Sequence, residues 1–365
     1  MKTIGIFTYK HSNYGAVLQC FALQRYLRNQ SEINVEVVNF TTSLHYQQDQ
    51  FFRRWSNNPI KQIAYMLLTL YRLPSLFKRR TLTKKFKLEN IQWSKLYSSE
   101  HQLLEDPPKY DVYCTGSDQV FNLSGNYKNI YFLNFDTNNG RKVAYAPSLG
   151  STPLNQDTAV TLLSLLNNFH ALSCREADGA QFLSEITKSD VPQVLDPTLL
   201  LTKEDWLKVS KRPNFCGDYI LVYDLNGRHN LISIAKRVQA QHHMPIFCIT
   251  DKVEAFYHVD KQIYGAGPSE FLGLFAGAKY VITDSFHGTV FSIIFNKPFS
   301  SYIALPKSSS RILSLLKNLG LEEHIITHDT LTKDRQFSIQ EINVDQRLEL
   351  LRAKSYEFIK RNIIF

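Results

Sequence analysis

Short apolar runs alternate along this chain with segments in which apolar residues recur at helical spacing. The runs are rich in β-branched residues and have the length of buried strands, whereas the other segments predict helices. Polar turns separate most of them. The predicted strands are residues 3–8, 34–40, 111–115, 143–146, 171–174, 219–225, 245–250, 280–283 and 299–303, and the predicted helices are residues 16–29, 158–169, 175–186, 230–242, 268–277 and 289–295.

Strands that alternate with helices predict parallel sheets covered by helices. Residues 191–201 interrupt this alternation as a strand, a turn and a linker, and they divide the chain near Leu201. We therefore predict an α/β protein of two Rossmann-like doubly wound domains that face a cleft. The N-terminal domain would comprise residues 1–201 and the C-terminal domain residues 202–365, each of ordinary size.

The formal net charge of +9 is concentrated in one segment. Residues 51–95 contain eleven Lys or Arg against one acid, Glu89, a net of +10 that accounts for the whole excess. Residues 60–77 carry apolar side chains at helical spacing, and the basic run KRRTLTKKFK follows. Such a segment can lie on an anionic membrane surface, or it can be a helical insertion in the first domain with a solvated basic face. Nucleic acid is not expected as a partner, because no nucleic-acid-binding motif accompanies the patch.

Composition argues against several classes of protein. The cysteines are odd in number and lack CxxC spacing, which predicts reduced thiols in the cytosol rather than a disulfide framework or a zinc site. The opening MKTIGIFTYK has too short an apolar run for a signal peptide, and no uncharged apolar run of about 18 residues could span a membrane. We therefore expect a cytoplasmic protein. The five cysteines are Cys20, Cys114, Cys174, Cys216 and Cys248.

The most informative stretch for chemistry is AKYVITDSFHGTVFSIIFNKPF, residues 278–299. It predicts a strand, a polar turn and a helix from Thr289, which puts His287 at the carboxyl end of the strand and the mouth of the helix. Ligands bind there in open α/β sheets, because backbone N–H groups and the positive end of the helix dipole converge. His287 is the first candidate for catalysis, with a hydrogen-bonded turn residue as the alternative. The neighbours expected to bind substrate are Ser285, Phe286, Gly288 and Thr289.

Polar turns after two other predicted strands offer further binding groups. The turn at residues 11–15 opens the first helix and forms a second site of phosphate or sugar size, but it lacks GxGxxG and implies no dinucleotide. The turn at residues 116–119 could hydrogen-bond a sugar hydroxyl, or it could cap the next helix. The binding candidates in these turns are Asn13, Tyr14, Gly15, Ser117, Asp118 and Gln119.

An arginine, Arg175, lies just past the predicted strand at residues 171–174. Its planar guanidinium is suited to grip a carboxylate or a phosphate. The structural alternative is an ion pair with a neighbouring acid.

Six segments occur in a fixed order that is similar to one known family. They are FTYKHSNYGAVLQCFALQRYL, YDVYCTGSDQVFN, YAPSLGS, SCREADGAQFL, VLDPTLLL and ITDSFHGTVFSIIFNKPF. Together they resemble the polysaccharide pyruvyl transferase family, from residue 3 to about residue 320 apart from the basic insertion. The resemblance implies a glycosyltransferase-B-like pair of Rossmann-type domains. It also implies transfer of a pyruvyl group from phosphoenolpyruvate to two sugar hydroxyls, which forms a cyclic ketal and releases phosphate.

The resemblance also assigns roles to individual residues. His287 matches the family's motif histidine and would exchange protons with the sugar hydroxyl or the departing phosphate. Arg175 matches the arginine of the SCRE block and would clamp the carboxylate or phosphate. Ser285 departs from the pattern, because some members have an arginine two positions before the histidine. We expect Lys307 or Arg311, in the loop PKSSSR, to supply the missing cation.

We therefore expect a pyruvyl transferase of cell-surface polysaccharide biosynthesis, for an exopolysaccharide or a capsule. Its substrates would be phosphoenolpyruvate and a lipid-linked or nucleotide-linked sugar acceptor. With a lipid-linked acceptor, the basic segment would hold the enzyme peripherally on the inner face of the cell membrane. No cofactor and no metal are expected, since His242 and His243 are adjacent on a predicted helix and face different ways.

Two other functions fit the same architecture. One is a glycosyltransferase that uses a nucleotide sugar, for which Asp251 or Glu270 could bind the ribose. The other is a non-catalytic, glycan-binding component of an assembly complex, since fold does not fix function.

Overall fold

The computed structural model describes residues 1–10, 13–30, 33–41, 50–52, 54–124, 128–150, 156–227, 229–250, 252–253, 257–304 and 309–365. These residues form two six-stranded sheets in which all neighbouring strands run parallel. Helices cover the sheets, as the alternating pattern predicts. The α/β fold with two Rossmann-like units is therefore confirmed.

The first sheet contains six strands from the N-terminal half of the chain. They are β1 (Lys2–Phe7), β2 (Ile33–Phe40), β3 (Trp93–Tyr97), β4 (Val112–Thr115), β5 (Arg141–Ala144) and β6 (Ala171–Leu172). Their order across the sheet is β3-β2-β1-β4-β5-β6. The central β1 pairs with β2 and β4, so that Ile4 lies between Val35 and Val112, and all three side chains are fully buried.

The second sheet repeats this arrangement. Its strands are β7 (Ile220–Asp224), β8 (Ile246–Thr250), β9 (Lys261–Ile263), β10 (Tyr280–Thr283), β11 (Phe299–Ile303) and β12 (Ile325–Thr327). The order is β12-β11-β10-β7-β8-β9. Numbered from its own first strand, each sheet has the Rossmann order 3-2-1-4-5-6, in which the chain reverses direction between the first and fourth strands. Loops that leave these two strands diverge and open a crevice.

The helices follow the strands along the chain. They are α1 (Tyr14–Arg28), α2 (Pro59–Asn90), α3 (Glu100–Glu105), α4 (Lys128–Tyr131), α5 (Gln156–Leu166), α6 (Ala177–Thr187), α7 (Lys203–Val209), α8 (His229–His242), α9 (Pro268–Gly277), α10 (Phe286–Ile294), α11 (Ser310–Leu319) and α12 (Asp345–Ile359). Short 3₁₀ helices occur at Pro197–Leu200, Glu322–His324 and His328–Thr330, and α12 continues as a π-helix over Lys360–Ile364.

The structure contains three strands and five helices (α3, α4, α7, α11 and α12) that the sequence analysis does not predict, and the helix that carries His287 starts three residues earlier than predicted. β3, β9 and β12 were not predicted; they lie at sheet edges, have three to five residues and include exposed or half-buried positions, so they lack a continuous apolar run. The predicted helix start at Thr289 is wrong, because α10 begins at Phe286 with Ser285 as its N-cap. His287 therefore lies in the first turn of a helix.

The basic insertion forms one helix, α2, of 32 residues that continues through Pro74. Although it connects strands of the first sheet, its side chains also contact the half of the chain that forms the second sheet. The Arg72 guanidinium donates to the carbonyl oxygen of Val253 and lies 3.9 Å from the ring centroid of Tyr264. The insertion therefore bridges the two halves of the molecule.

The last helix returns from the second sheet to the first half of the chain. The Arg352 guanidinium donates from Nε to the carbonyl oxygen of Leu199 at 2.7 Å and from Nη2 to that of Leu201 at 3.0 Å. Tyr356 stacks on Tyr26 of α1, with ring centroids 5.0 Å apart. These contacts join the two halves a second time; the boundary near Leu201 stays a prediction.

Replacing Arg352 by Ala should lower the free energy of unfolding by about 2–4 kcal/mol, because two buried carbonyl oxygens lose their donors. Urea denaturation followed by circular dichroism measures this change. Lys354→Ala, at an exposed position of the same helix, is the matched control and should change the stability by less than about 0.5 kcal/mol. Equal stabilities of the two variants would contradict the role of Arg352.

Candidate functional site

A cavity of about 530 Å³ lies between the carboxyl ends of the two sheets. Loops that follow the first and fourth strands of each sheet line it, which is where the Rossmann order opens a crevice. The lining residues from these four loops are Tyr9 and Asn13 after β1, Asp118, Gln119, Asn122 and Ser124 after β4, Leu225 and Asn226 after β7, and Asp284, Ser285, Phe286 and His287 after β10.

The turn after β10 is fixed by contacts behind the cavity. Gly288 packs against Thr283 so closely that a Cβ at this position would lie 2.3 Å from Thr283 Oγ1. The Ser285 hydroxyl accepts from the Gly288 N–H at 3.4 Å, and the Thr289 hydroxyl donates to the Ser285 carbonyl at 3.1 Å. These contacts start α10 immediately after Ser285. They direct Phe286 and His287 into the cavity.

The His287 ring rests on Gly15 of α1. A Cβ at Gly15 would lie 2.1 Å from Nδ1 of His287, so a larger residue would displace the ring. The Asn13 side chain caps α1 by accepting from the Gly15 N–H at 2.9 Å. His287 is only 8% exposed although it lines the cavity. The contact therefore places a histidine of the second sheet against the first helix of the first sheet.

A buried carboxylate, Asp196, lies between His287 and Arg175. Nη1 of Arg175 donates to Oδ2 of Asp196 at 2.7 Å, and Nε2 of His287 lies 3.7 Å from the same oxygen. Ser117 donates its hydroxyl to that oxygen at 3.1 Å, while Thr198 donates to the other carboxylate oxygen at 2.6 Å. A charge with no exposed surface is stable in a protein interior when it has this many partners.

The charges in this cluster hold one another ionised. Burial alone would raise the pKa of the Asp196 carboxyl, but the nearby His287 and Arg175 outweigh burial and hold this pKa well below its usual range. Burial would likewise lower the pKa of Arg175, but Glu176, Asp196 and Asp118 outweigh it and raise that pKa above its ordinary value. Asp196 is therefore an anion and Arg175 a cation at neutral pH.

Two nitrogen atoms of this cluster lack a hydrogen-bond acceptor or donor among the described residues. They are Nε2 of His287 and Nη2 of Arg175, and both are fully buried. Nη2 lies 3.8 Å from the Asp118 carboxylate, which itself lines the cavity. Buried polar atoms are nearly always paired in proteins, and unpaired ones concentrate where a ligand completes the site.

A second arginine, Arg311, lines the cavity from the first turn of α11. With the Gln119 amide oriented to satisfy its neighbours, its oxygen accepts from Nη1 and Nη2 of Arg311 at 3.1 and 3.2 Å. The Phe286 ring is near both arginines, with its centroid 4.6 Å from Cζ of Arg175 and 6.0 Å from Cζ of Arg311. Burial and the charge of Arg175 lower the pKa of Arg311 from its ordinary value. An anionic ligand would offset both effects.

The opposite side of the cavity is acidic and polar. Asp284 accepts from the Leu225 N–H at 3.0 Å and from the Asn226 amide at 2.7 Å, and the three residues line the cavity together. Tyr302 of β11 adds a phenol whose oxygen accepts from Asn230 of α8. Carboxylate, amide and phenol groups are typical partners of sugar hydroxyls.

The structure brings together some of the residues predicted from the sequence and separates others. Tyr14 points away from the cavity: its hydroxyl donates to the Ala266 carbonyl at 2.6 Å and its ring stacks on Phe271. The predicted residues that line the cavity are Asn13, Asp118, Gln119, Ser285, Phe286, His287 and Arg311, and those that support it from behind are Tyr14, Gly15, Ser117, Gly288, Thr289 and Arg175. Lys307 lies outside the described residues.

The alternative considered for Arg175, an ion pair with a neighbouring acid, is present. Nε and Nη1 face the carboxylates of Glu176 and Asp196, so two of its three nitrogens are used inside the protein. Arg175 lines a smaller pocket of about 20 Å³ next to the cavity, together with Asp196, Phe286 and Arg311. Nη2 is therefore the atom of Arg175 that can meet a ligand.

Sequence reasoning missed Asp196 and Asp284 as site residues. Both were assigned to turns, yet Asp196 is a single carboxylate within the apolar run VLDPTLLL, which requires a buried partner once the run is buried. Asp284 directly follows β10, at a position where ligand-binding residues are common.

The ribose candidates of the nucleotide-sugar hypothesis receive no further support. Glu270 accepts from the Gly267 N–H at 3.2 Å and forms an ion pair with Lys211 at 3.2 Å, which gives it a capping role at the start of α9. Asp251 lies outside the described residues. Among the described residues, no group of three or more His, Cys, Asp or Glu is arranged to hold a metal ion.

Two solved structures that match this chain along its length share little sequence with it. The UDP-GlcNAc 2-epimerase from Methanocaldococcus jannaschii has a TM-score of 0.50 and 13% identity, and the match covers 98% of this chain and 100% of that one. The E. coli heptosyltransferase WaaC with ADP has a TM-score of 0.41 and 13% identity, covering 99% of each chain. A search of curated proteins found no match. The epimerase match supports the glycosyltransferase-B-like fold and nothing beyond the fold.

The sequence profile of the family described as polysaccharide pyruvyl transferase matches residues 13–302. The matched region includes the loops that supply Asn13, Asp118, Asp196 and His287 to the site. Because the match spans more than half of the chain, this protein belongs to the polysaccharide pyruvyl transferase family.

Proposed function

We propose that this protein transfers the pyruvyl group of phosphoenolpyruvate to two hydroxyls of a sugar in a cell-surface glycan precursor. The products would be a cyclic ketal and inorganic phosphate. The proposal is carried by one observation: His287 and Arg175 meet at the buried Asp196 carboxylate, on the wall of a cavity lined by the family's sequence blocks. Family membership supports a pyruvyl transferase, and the geometry suggests which residues would bind the anion and which would transfer protons.

The reaction requires two proton transfers that balance. A proton adds to the CH₂ carbon of phosphoenolpyruvate, and the cationic C2 that results accepts the oxygen of the first sugar hydroxyl. The C2–O bond to phosphate then breaks, and the second hydroxyl oxygen takes its place. The two hydroxyls release two protons. One balances the proton taken up by the new methyl group, and the other leaves on the phosphate. An enzyme must therefore hold an anion and move protons at the same site.

The arginine side of the cavity would hold phosphoenolpyruvate. Nη2 of Arg175 is buried without an acceptor among the described residues, and Arg311 carries a second cation near the same Phe286 ring and lines the same small pocket. A phosphate or carboxylate oxygen would accept hydrogen bonds from both guanidinium groups. Arg311 would thus supply the charge that is absent at Ser285.

His287 would move the protons. Its Nε2 lies 3.7 Å from the Asp196 carboxylate, which helps to orient the ring, and its position on the cavity wall places it beside a bound substrate. Asp196 would act as a positioning residue, because it has no exposed surface and contacts His287 rather than the cavity. Arg175 keeps that carboxylate ionised, so the three residues act as one unit.

The acidic side of the cavity would hold the sugar acceptor. Asp284 and Asn226 form a hydrogen-bonded pair on the wall, and each can also bind a sugar hydroxyl. The chemistry of these groups suits a lipid-linked or a nucleotide-linked sugar equally. The proposal includes no metal ion or organic cofactor, and the reaction would take place in the cytoplasm or on the inner face of the membrane.

The first test measures phosphate release from phosphoenolpyruvate by the purified protein, with a panel of nucleotide-linked and lipid-linked sugars and with EDTA present. We expect acceptor-dependent release and a pyruvyl ketal mass on the sugar. His287→Ala should lower the rate by about 10²–10⁴-fold, because it removes a general acid-base. His258→Ala, at an exposed histidine, is the matched control and should retain the full rate.

The same assay separates the other two functions. Transfer from a nucleotide sugar without phosphate release from phosphoenolpyruvate would replace the proposal with a glycosyltransferase. Absence of phosphoenolpyruvate binding, together with normal glycan modification in cells that carry His287→Ala, would replace it with a non-catalytic component.

Replacing Gly15 by Ala tests the position of His287. The new Cβ would overlap Nδ1 and push the ring from its place, so we expect the turnover rate to fall by roughly 10–100-fold while the thermal midpoint changes little. A double-mutant cycle isolates the contact. In a His287→Ala background, Gly15→Ala should have almost no further effect, and an equal loss in both backgrounds would show that Gly15 acts elsewhere.

Replacing Arg311 by Gln tests the second cation. Loss of a charged hydrogen bond to the anion should weaken phosphoenolpyruvate binding by roughly 10–100-fold, as measured by calorimetry. Lys317→Gln removes the same charge from an exposed position on α11 and serves as the control. Unchanged affinity in Arg311→Gln would mean that a different residue compensates for Ser285.

A further inference from the structure

Exposed apolar side chains are concentrated on the basic insertion. Eighteen large apolar side chains are exposed among the described residues, and ten of them fall between residues 52 and 88. Single exposed apolar residues are normal on a protein surface, whereas a continuous group marks an interaction site. The ten are Phe52, Trp55, Ile60, Ile63, Met66, Leu67, Leu70, Tyr71, Phe77 and Leu88.

The helix α2 carries two stripes on opposite faces. The inner stripe, Tyr65, Thr69, Arg72 and Leu76, is buried against the rest of the molecule. The outer stripe is Ile60, Ile63, Leu67 and Leu70, whose exposed fractions are 77, 58, 62 and 53%. Both stripes repeat at intervals of three and four residues, and the outer one is displaced by two residues, or about 200° around the helix. The outer stripe is therefore not needed to pack α2 on the protein.

Basic residues extend the outer stripe toward the end of the helix. Lys85 follows Leu67 by 18 residues, or five whole turns, and lies on the same face, while the exposed side chain of Lys78 passes close to Gly265 at the edge of that face. Lys84 and Arg80 are also exposed on this half of α2. No acid occurs in the insertion before Glu89. The outer face thus has an apolar first half and a cationic second half.

We propose that the outer face of α2 binds the anionic surface of a lipid bilayer. The stripe from Ile60 to Leu70 would enter the boundary between headgroups and acyl chains, and the lysines would remain among anionic headgroups. Tyr71, which follows Leu70 and is 80% exposed, adds an aromatic side chain of the kind that favours the membrane interface. Among the described residues no helix is long and apolar enough to cross a membrane, so α2 would lie in the plane of the surface.

The charge distribution favours lipid over a second copy of this chain. Two parallel α2 helices would bring their cationic halves together, and two antiparallel helices would place each cationic half against an apolar half. An anionic bilayer offers apolar depth and negative charge along the same surface. The inference does not depend on the proposed reaction, although it would bring the cavity close to a lipid-linked acceptor. Because Arg72 ties α2 to Val253 and Tyr264, the bilayer would bind a fixed part of the molecule.

The test is sedimentation of the full chain with vesicles of neutral phosphatidylcholine, with and without 30 mol% phosphatidylglycerol. We expect binding to the anionic vesicles that weakens in high salt. Substituting Lys78, Lys84 and Lys85 by Gln should reduce that binding on the order of a hundredfold. Substituting Ile63, Leu67 and Leu70 by Ser should reduce it by roughly tenfold or more.

Matched controls carry the same substitutions on other exposed surfaces. Val160, Leu163 and Leu350 to Ser, and Lys317, Lys333 and Lys354 to Gln, should bind like the unmodified protein. All variants should keep the unmodified thermal midpoint and release phosphate from phosphoenolpyruvate at the unmodified rate with a water-soluble acceptor. The membrane proposal and the proposed reaction are therefore tested separately.

Three results would overturn the proposal. The first is equal binding of the Ile63, Leu67 and Leu70 variant and the unmodified protein to anionic vesicles. The second is equal affinity of the unmodified protein for neutral and anionic vesicles. The third is self-association in light scattering that the same apolar variant abolishes, without vesicle binding, which would assign the face to a second copy of the chain.

Discussion

Everything at the site depends on a single buried carboxylate. Asp196 has no exposed surface, and the cost of burying an isolated charge there would exceed the free energy of unfolding of a typical protein. Arg175 and Ser117 stabilise it from the first half of the chain, and His287 approaches it from the second. Asp196 and these partners therefore join the two halves of the chain by electrostatic interactions, and they also position the proposed catalytic histidine. A substitution that weakens the contact between the halves would therefore also displace His287.

Much of the fold could be predicted because the burial of a strand leaves a pattern in that strand's own sequence. Buried parallel strands require continuous apolar runs, so central strands such as β10 are evident in the sequence, while the short edge strands β3, β9 and β12 carry polar residues and are not. The position of His287 followed from the same rule, because a turn after a central strand lies at the crevice. Its helical conformation did not, since a three-residue shift in the helix start depends on the Ser285 cap.

The rest of the site depends on contacts between distant segments. Asp196 precedes a proline and a sequence alone favours a turn there; only the fold brings it within 2.7 Å of Arg175 and next to His287, 91 positions later. Arg311 was one of two candidates for the missing cation, and the sequence gives no sign that Gln119 and Phe286 would orient it. For Tyr14 the sequence predicted a contact that the fold does not make. Its place in the turn before α1 suggested that it binds a ligand, whereas its ring stacks on Phe271 between the two halves of the molecule.

The return of α12 to the first sheet limits how the molecule can move. The chain passes between the two halves once after Leu201 and again before α12, whose Arg352 and Tyr356 are attached to the first half. Two lobes joined by one linker can twist and slide, but two crossings define an axis about which rotation is the easiest displacement. The inner stripe of α2 adds a further connection, because Arg72 contacts Val253 and Tyr264. We expect a large acceptor to enter when the two halves rotate apart about this axis. The carboxylate cluster would hold the halves together until then.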